Sequence, residues 1–178
     1  MQDKLETRWV EAAAGGDIDS FGELCRRHYA AMVAIGYSIL GDHQLAEDAA
    51  QESFARALVQ LRRLRNKAKF APWLAAICRN VAKDMVATKV RQINNQHFSR
   101  AAADEDADET SRVVRQAIEQ LPVRAKELLV LRYYNGLSYD EIGSVLGISK
   151  TTINGRLTRA KRQVAAYLRR SGFMENEL

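Results

Sequence analysis

The chain has 178 residues, which is enough for one medium-sized domain or two small ones, each with its own core. Hydrophobic residues make up 47% of the sequence and charged residues 28%, which is ordinary for a soluble globular protein. No apolar run approaches the length of a membrane-spanning helix, which argues against a membrane-spanning protein. The net charge of +5 and the pI near 9.4 favour a polyanionic partner.

Cysteine and histidine usage gives no sign of metal or redox chemistry. Cys25 and Cys78 are the only cysteines, and both lie in helical-looking apolar surroundings, so we expect buried free thiols rather than a disulfide. His28, His43 and His97 make no metal-ligand spacing with them, which predicts that the protein has neither a zinc site nor another cofactor. The N-terminus, MQDKLETRWV, lacks the apolar segment of a signal peptide, and we therefore expect a cytoplasmic protein without membrane insertion.

Helix-forming residues dominate the sequence and proline occurs only twice, so we expect helices throughout. The first is amphipathic and extends from Leu5 to about Ala14, and Asp19 or Ser20 caps a longer second helix. The third helix has the sequence LAEDAAQESFARALVQL, and after a loop Pro72 lies in the first turn of the fourth. The buried stripe of the fourth helix contains Leu74, Ile77, Val81 and Met85.

The sequence changes character after about Val90. The next stretch has no sustained apolar period and contains an acidic block from Asp104 to Glu109, which is typical of a linker or a partly disordered segment. Helical spacing returns at SRVVRQAIEQLP, and the helix VRAKELLVLRYYNG after it is stopped by Asn135 and Gly136. The predicted fold class is therefore all-α, with two small helical domains at residues 1–92 and 113–170, a flexible acidic linker at 93–112 and a tail at 171–178.

The strongest local signals lie near the end of the chain. Ser138 and Glu141 match a capping box, so a helix begins there, and Gly147 ends it in the left-handed conformation that glycine tolerates. Soon afterwards Ser149 can cap a second helix. Two short helices joined by a glycine-containing turn of this length predict a helix-turn-helix.

The second helix of this motif predicts DNA binding, with its N-terminal half in the major groove. Arginine can form two hydrogen bonds with guanine and asparagine with adenine, while lysine and threonine contact phosphates. The alternative is a solvated basic helix in a plain helical bundle. The residues that we expect at the DNA are Lys150, Thr151, Thr152, Asn154, Gly155, Arg156, Thr158, Arg159 and Arg162.

Three segments resemble bacterial sigma factors. The segment LPVRAKELLVLRYYNGLSYDEIGSVLGISKTTINGRLTRAKRQV resembles their region four, and the segments DHQLAEDAAQESFARAL and FAPWLAAICRNVAKDMV resemble parts of their region two. The chain has no room for region three between them, which is the pattern of the extracytoplasmic-function (ECF) group. The segments have the family's order and spacing, and the resemblance extends from about Ala12 to Leu168.

The resemblance implies a non-enzymatic protein that joins core RNA polymerase and directs it to promoter DNA. It also implies that Glu47, Asp48, Gln51, Glu52 and Phe54 lie on the helix that meets the coiled coil of the polymerase's largest subunit. The spacing is compatible with this, because residues three and four apart share a helix face that can pair with basic residues of a partner. The alternative is a solvated acidic face with Phe54 in the core.

The resemblance further implies that the loop after the third helix, together with the fourth helix, opens the promoter at its minus-ten element. Melting requires that a base leave the stack, and the amide of Asn80 can both donate and accept hydrogen bonds to such a base. Basic side chains would hold the separated strand, and we expect Trp73 mainly to pack the domain. The residues expected at the minus-ten element are Leu64, Arg65, Asn66, Lys67, Lys69, Trp73, Arg79, Asn80 and Lys83.

The loop departs from the family pattern F-R-G, because it reads Leu64-Arg65-Asn66. Leucine supplies apolar bulk but cannot stack like an aromatic ring. Asn66 can take a left-handed turn, although less readily than glycine. This departure leaves the identity of the melted base open.

The resemblance to sigma factors implies several partners. Each half should hold duplex DNA weakly on its own, and attachment of both halves to one polymerase would raise the effective concentration of each at the DNA. The resemblance also implies that the free protein is a monomer and that an anti-sigma factor binds it.

Two other functions are possible alternatives. The first is a conventional DNA-binding regulator, whose N-terminal helices would dimerise or sense a ligand and which would bind a palindromic site as a homodimer. An enzyme is the second, but the sequence has no glycine-rich phosphate loop, ligand cluster or nucleophile-base-acid set.

Overall fold

The computed structural model describes residues 2–93 and 109–173, and all regular elements within these ranges are helices, which confirms the all-α class. Most of the predicted linker at 93–112 and part of the predicted tail at 171–178 lie outside the described residues. No helix in the described ranges has both the length and the apolar character needed to cross a membrane. The first half contains α1 (Gln2–Gly15), α2 (Ile18–Leu40), α3 (His43–Gln60) and α4 (Phe70–Ile93), and the second half contains α5 (Glu109–Glu119), α6 (Val123–Leu129), α7 (Tyr139–Leu146) and α8 (Lys150–Arg170).

The start of α2 differs from the prediction. Its cap is Asp17 rather than Asp19 or Ser20, because the Asp17 carboxylate accepts a hydrogen bond from the backbone N–H of Ser20 at 3.3 Å. Gly16, at φ +109°, turns the chain so that Asp17 takes the extended conformation of a capping residue. Asp19 therefore lies inside the first turn, where its charge is favourable at the positive end of the helix dipole.

The packing of α2 against α3 depends on a close approach of their backbones. Leu24, Met32 and Ile35 of α2 are almost completely buried and belong to the main hydrophobic cluster. Next to this stripe, a Cβ at Gly36 would lie only 3.0 Å from the Cα and the carbonyl oxygen of Ala46. The absence of a side chain at Gly36 therefore lets the two helices come together at this point.

The fourth helix buries the predicted stripe and one of the two thiols. Leu74 and Val81 are fully buried, while the other two members of the stripe are half-buried. Cys78 is also buried, its Sγ lies 3.3 Å from the carbonyl oxygen of Met32, and burial raises the pKa of its thiol to about 11. Both cysteines are free, as predicted, although Cys25 is only half-buried. Among the described residues, no group of three or more His, Cys, Asp or Glu side chains is arranged to hold a metal ion.

The second half begins earlier than the sequence predicted. Residues 109–112, which were predicted as linker, already belong to α5, and Glu109 lies 3.9 Å from Arg112 one turn later, a pairing that supports a helix. α6 continues as a π-helical turn, Val130–Tyr134, which ends before Gly136 at φ +68°. The predicted stop at this glycine is thus confirmed.

The two halves share one hydrophobic core. Leu24 and Leu74 from the first half belong to the same buried cluster as Leu128, Leu131 and Ile142 from the second. α2 packs against α6 and the π-helical turn, and α4 packs against α7. The sequence predicted two helical domains but did not predict that they would pack against each other.

We expect Gly36→Ala to destabilise the fold, because its new Cβ must push α2 and α3 apart and overpacking of this kind costs about 1–3 kcal/mol. Urea unfolding followed by circular dichroism measures the free energy of unfolding. Gly22→Ala is a matched control in the same helix, since a Cβ there meets nothing within 4 Å. It should stabilise the protein by about 0.5–1 kcal/mol through helix propensity alone. Equal stability of the two variants would show that the close approach at Gly36 is unimportant.

Candidate nucleic-acid interface

Hydrogen bonds from backbone N–H groups to polar side chains define where the two helices of the helix-turn-helix begin. The Ser138 hydroxyl accepts from the N–H of Glu141 at 3.3 Å, and the Glu141 carboxylate accepts from the N–H of Ser138 at 2.9 Å, which confirms the capping box. Gly147, at φ +68°, ends α7 as predicted. Ser149 then caps α8 by accepting from the N–H of Thr152 at 3.2 Å. These bonds satisfy backbone groups at the helix ends and fix where α8 begins.

α8 has one buried and one exposed face. Ile153, Leu157 and Ala160 are at most 1% exposed. Thr152 is half-buried and its hydroxyl lies 2.9 Å from that of Ser149, so its side chain takes part in the cap of α8. The remaining predicted contacts are all exposed, namely Lys150, Thr151, Asn154, Gly155, Arg156, Thr158, Arg159 and Arg162.

The exposed face of α8 carries positive charge. Its sequence, KTTINGRLTRAKRQVAAYLRR, contains no acidic residue. Lys150 lies 2.8 Å from Asp140 of α7, but both side chains are well exposed, and such pairs contribute little stability. The face is therefore suited to a polyanion that can replace this weak pair.

The acidic face predicted on α3 is also exposed. Asp48, Gln51 and Glu52 lie together on the surface, as their spacing predicted, and they line a groove between α3 and α4. Arg56 lies across this groove, with Nε 2.7 Å from Glu52 and a terminal nitrogen 3.6 Å from Asp84. The apolar part of the groove is formed by Leu45, Val81 and Met85. An acidic rim over an apolar floor is suited to a basic amphipathic helix.

Two other residues predicted at the polymerase differ in placement. Phe54 is 7% exposed and belongs to the main hydrophobic cluster, so its side chain packs the domain, as the alternative interpretation held. Glu47 is half-buried, and its Oε1 lies 3.5 Å from Nδ1 of His43. The Glu47 side chain is nearly as exposed as that of Glu52, at 42% against 45%, but the groove itself is lined by the other three residues.

Asn66 shapes the loop between α3 and α4, but not as a left-handed residue. Its φ of −100° and ψ of 101° are extended, so the left-handed turn considered from the sequence is wrong. Its side-chain oxygen instead accepts a hydrogen bond from the N–H of Ala68 at 3.1 Å and caps a short 3₁₀ turn. A side-chain cap thus sets the course of the loop without a positive φ.

Lys67 holds the same loop from inside. Its Nζ donates a hydrogen bond to the carbonyl oxygen of Leu61, at 3.2 Å, in a partly buried position. Leu64 is half-buried and packs against the main hydrophobic cluster, whereas Arg65 is exposed. Of these three predicted minus-ten residues, Arg65 is available to DNA, while Lys67 and Leu64 support the loop.

The predicted residues of α4 divide between solvent and core. Asn80 and Lys83 are exposed and three positions apart, so they share a face of the helix. Trp73 is half-buried, packs against the main cluster, and has its ring centroid 5.9 Å from that of Phe70. Its surroundings agree with the packing role expected for it.

The last two predicted minus-ten cations contact acids of the second half. Arg79 donates from Nε to the carboxylate of Glu127, and the two side chains are only 17% and 7% exposed. Nζ of Lys69 lies 3.1 Å from Glu141. Burial acts to raise the pKa of Glu141, but hydrogen bonds from Ser138 and Lys69 outweigh it and hold that pKa below its usual value.

Sequence reasoning missed both of these acids as partners of the first half. Glu127 precedes the buried Leu128 and is four positions before the buried Leu131, so it stands on an apolar stripe. A carboxylate on such a stripe was the available signal that a buried cation must lie opposite. Glu141 gave no such signal, because its capping role already explained it.

Comparison with known proteins shows the family of this chain. The family model for Sigma-70 region 2 matches residues 24–92, and that for Sigma-70, region 4 matches residues 111–164. The ECF RNA polymerase sigma factor SigW of Bacillus subtilis is 30% identical over 90% of this chain and 95% of its own length. SigE of Mycolicibacterium smegmatis is 30% identical over 94% of this chain and 74% of its own. The chain belongs to the ECF RNA polymerase sigma factors.

The fold of this sigma factor is also found in solved structures. RpoE of Bartonella quintana, in a co-crystal structure with the anti-sigma factor NepR, is 22% identical and superimposes with a TM-score of 0.74 over 84% of this chain and 96% of that one. The region 2 match includes α3, the loop and most of α4, and the region 4 match includes the helix-turn-helix. Both candidate interfaces therefore lie inside the matched regions.

Lys67→Met keeps the aliphatic stem and removes the ammonium that holds Leu61, so the loop of this sigma factor should open more often. We expect amide hydrogen exchange at residues 64–69 to accelerate about tenfold, as the loss of one charged hydrogen bond implies. Mass spectrometry of the exchanged protein measures this. Arg65→Met is the matched control, because it removes an exposed charge from the same loop and should leave exchange unchanged. Equal exchange in the two variants would contradict the role of Lys67.

Proposed function

We propose that this sigma factor brings core RNA polymerase to promoters and contacts their DNA at two separate places. α8 reads the minus-thirty-five element, and α4 with the loop before it opens the minus-ten element. Two features of the same chain support this proposal together. The helix-turn-helix has both helices capped and presents a basic exposed face, and a different helix carries an acidic groove. The protein is a non-enzymatic factor that acts in the cytoplasm, where its polymerase works.

The minus-thirty-five element would be read by the N-terminal half of α8. The guanidinium of Arg159 can form two hydrogen bonds with a guanine and the amide of Asn154 two with an adenine. Lys150 and Thr151 lie at the start of the helix, where backbone N–H groups and the helix dipole also favour phosphate. All four side chains are exposed, which supports this assignment.

The minus-ten element would be opened along α4. Asn80 is the exposed side chain that can both donate to and accept from an unstacked base, and Lys83 on the same face can hold the adjoining phosphate. Arg65 extends the basic surface along the loop. The hydrogen bonds of Asn66 and Lys67 keep this loop in one shape, so the base would meet a preformed surface.

Core polymerase would bind the groove between α3 and α4. The carboxylates of Asp48 and Glu52 attract basic residues of the approaching helix, and Gln51 adds a neutral hydrogen-bonding group. The apolar floor then loses its water when the helix is seated, which supplies the non-directional part of the binding energy. Attachment at this groove and at DNA would raise the effective concentration of each weak DNA contact for the other.

An anti-sigma factor is the further partner that we propose. RpoE of Bartonella quintana was solved with the anti-sigma factor NepR, and CnrH was solved with the cytosolic domain of CnrY. Both share the fold of this chain, at 22% identity in each case. We propose that the free sigma factor is a monomer available to such a partner.

Asp48→Lys should weaken binding to core polymerase by about tenfold or more, because it places a cation opposite the basic partner helix. Pull-down of tagged protein with purified core enzyme at several concentrations measures this. Glu11→Lys, on an exposed position of α1, makes the same change in charge and should bind like the unaltered protein. If the unaltered protein does not bind core enzyme at all, the proposed function itself is wrong.

Asn80→Ala should reduce promoter opening more than closed-complex formation, because a base can contact Asn80 only after it leaves the stack. With core polymerase and a promoter selected from a random library, permanganate reactivity measures opening and gel mobility measures the closed complex. Arg159→Ala is the contrasting variant, since it should weaken the closed complex on a promoter that needs its minus-thirty-five element. Equal loss at both stages with Asn80→Ala would remove Asn80 from the reading role.

A further inference from the structure

Gly155 is an exposed glycine in the interior of α8. Glycine is a poorer helix former than alanine, because its backbone loses more conformational freedom on folding. A Cβ at this position would meet nothing within 4 Å, so no contact within the described part of the chain requires a glycine. Internal packing of the described residues therefore does not account for its presence.

Two other helical glycines lie where a neighbouring backbone comes close. A Cβ at Gly36 would be 3.0 Å from the carbonyl oxygen of Ala46, and a Cβ at Gly143 would be 3.0 Å from the carbonyl oxygen of Ile148. In both cases the missing side chain makes room for another segment of the protein. At Gly155 the same kind of room is on the exposed surface, where it is available to another molecule.

Gly155 lies at the centre of the exposed face of α8. Successive residues of an α-helix are about 100° apart, so Gly155 is about 160° around the helix from both Ile153 and Leu157. These two residues are buried. Thr151 and Arg159, four positions before and after Gly155, are exposed on the same face. A duplex that meets the middle of this face therefore comes closest to the helix backbone at Gly155.

The surface that α8 offers at Gly155 is apolar. The backbone N–H and carbonyl groups at this point belong to the hydrogen bonds of the helix, so the exposed group is the CH₂ at Cα. Among the groups that base pairs present in the major groove, the thymine methyl is the apolar one, and the others donate or accept hydrogen bonds. A Cα without a side chain leaves room for that methyl group.

We propose that α8 comes closest to the minus-thirty-five element at Gly155 and that this glycine selects a thymine at the base pair it faces. This inference rests on the proposed function, because it takes α8 as the reader of that element. A side chain at position 155 would hold the helix away from the base edges. The hydrogen bonds that Asn154 and Arg159 form with bases would then weaken together.

Gly155→Ala separates this role from a role in folding, because the two effects have opposite signs. Alanine is the better helix former and meets no neighbour, so the urea midpoint of the full-length protein should rise. On a promoter that needs its minus-thirty-five element, closed-complex formation with core polymerase should fall about tenfold, as the loss of one good base contact implies. Unchanged or tighter binding by this variant would overturn the inference.

Two further variants identify the cause of the loss. Gly22→Ala is the matched change in α2, where a Cβ also meets nothing within 4 Å, and it should raise the urea midpoint without weakening DNA binding. Gly155→Leu should bind more weakly than Gly155→Ala, because leucine is larger while both residues are strong helix formers. Equal losses from Gly155→Ala and Gly155→Leu would show that α8 needs flexibility rather than space at position 155, and the inference would be wrong.

Deoxyuridine tests the base, because it lacks only the methyl group of thymidine. Each thymine of the minus-thirty-five element is replaced in turn. At one position the replacement should weaken the closed complex of the unaltered protein about fourfold, which corresponds to one buried methyl group. With Gly155→Ala the same replacement should have no effect, since the new Cβ already keeps the helix away from that methyl group. If no position shows this dependence on Gly155, the selection of thymine is refuted.

The proposed function and this inference fail in different ways. If the unaltered protein and core polymerase form no complex on any promoter of a random library, the proposed function is wrong. If they form a complex that Arg159→Ala weakens but Gly155→Ala does not, α8 reads the element and only the role of Gly155 is refuted.

Discussion

The burial of the apolar stripe on α2 is the constraint on which the rest of the structure depends. This helix packs against α1, α3 and α4 on the side of the first half, and against α6 and the π-helical turn on the side of the second. Burial of a leucine, isoleucine or methionine stabilises a fold by about 1.5–3 kcal/mol, and Leu24, Met32 and Ile35 are all within 1% of complete burial. The helices that support the acidic groove, the loop and the helix-turn-helix all pack against α2. This helix therefore sets the positions of the three features relative to one another.

The sequence predicted best those features that depend on residues within four positions of each other. Ser138 and Glu141 satisfy each other's backbone groups across a single turn, so the pattern of letters contains the whole interaction. The start of α2 shows where this reasoning fails even locally. Asp17, Asp19 and Ser20 are all chemically suitable caps, and the choice between them was made by the positive φ of Gly16, which the pattern does not reveal.

The remaining differences arise from contacts between distant parts of the chain. Helical spacing correctly put Asp48 and Glu52 on one face, but spacing cannot say what covers a face, so it could not separate them from the buried Phe54. Arg79 looked like a residue of the basic DNA surface for the same reason. Its partner Glu127 lies 48 positions along the chain, and only the packing of the two halves brings their charges together. The residue types of the candidate interfaces were therefore predictable, whereas their availability was not.

The burial of Cys78 has a practical consequence for work on this protein. With a thiol pKa of about 11, only about one molecule in ten thousand carries the thiolate at neutral pH, and the thiolate is the form that alkylating reagents and oxidants attack. Burial also raises the pKa of the Cys25 thiol, but Cys25 is only half-buried, so it should be modified faster than Cys78. A reporter dye can therefore be attached to Cys25 without mutagenesis. The rate at which Cys78 is then labelled measures how often the centre of the first half opens to solvent.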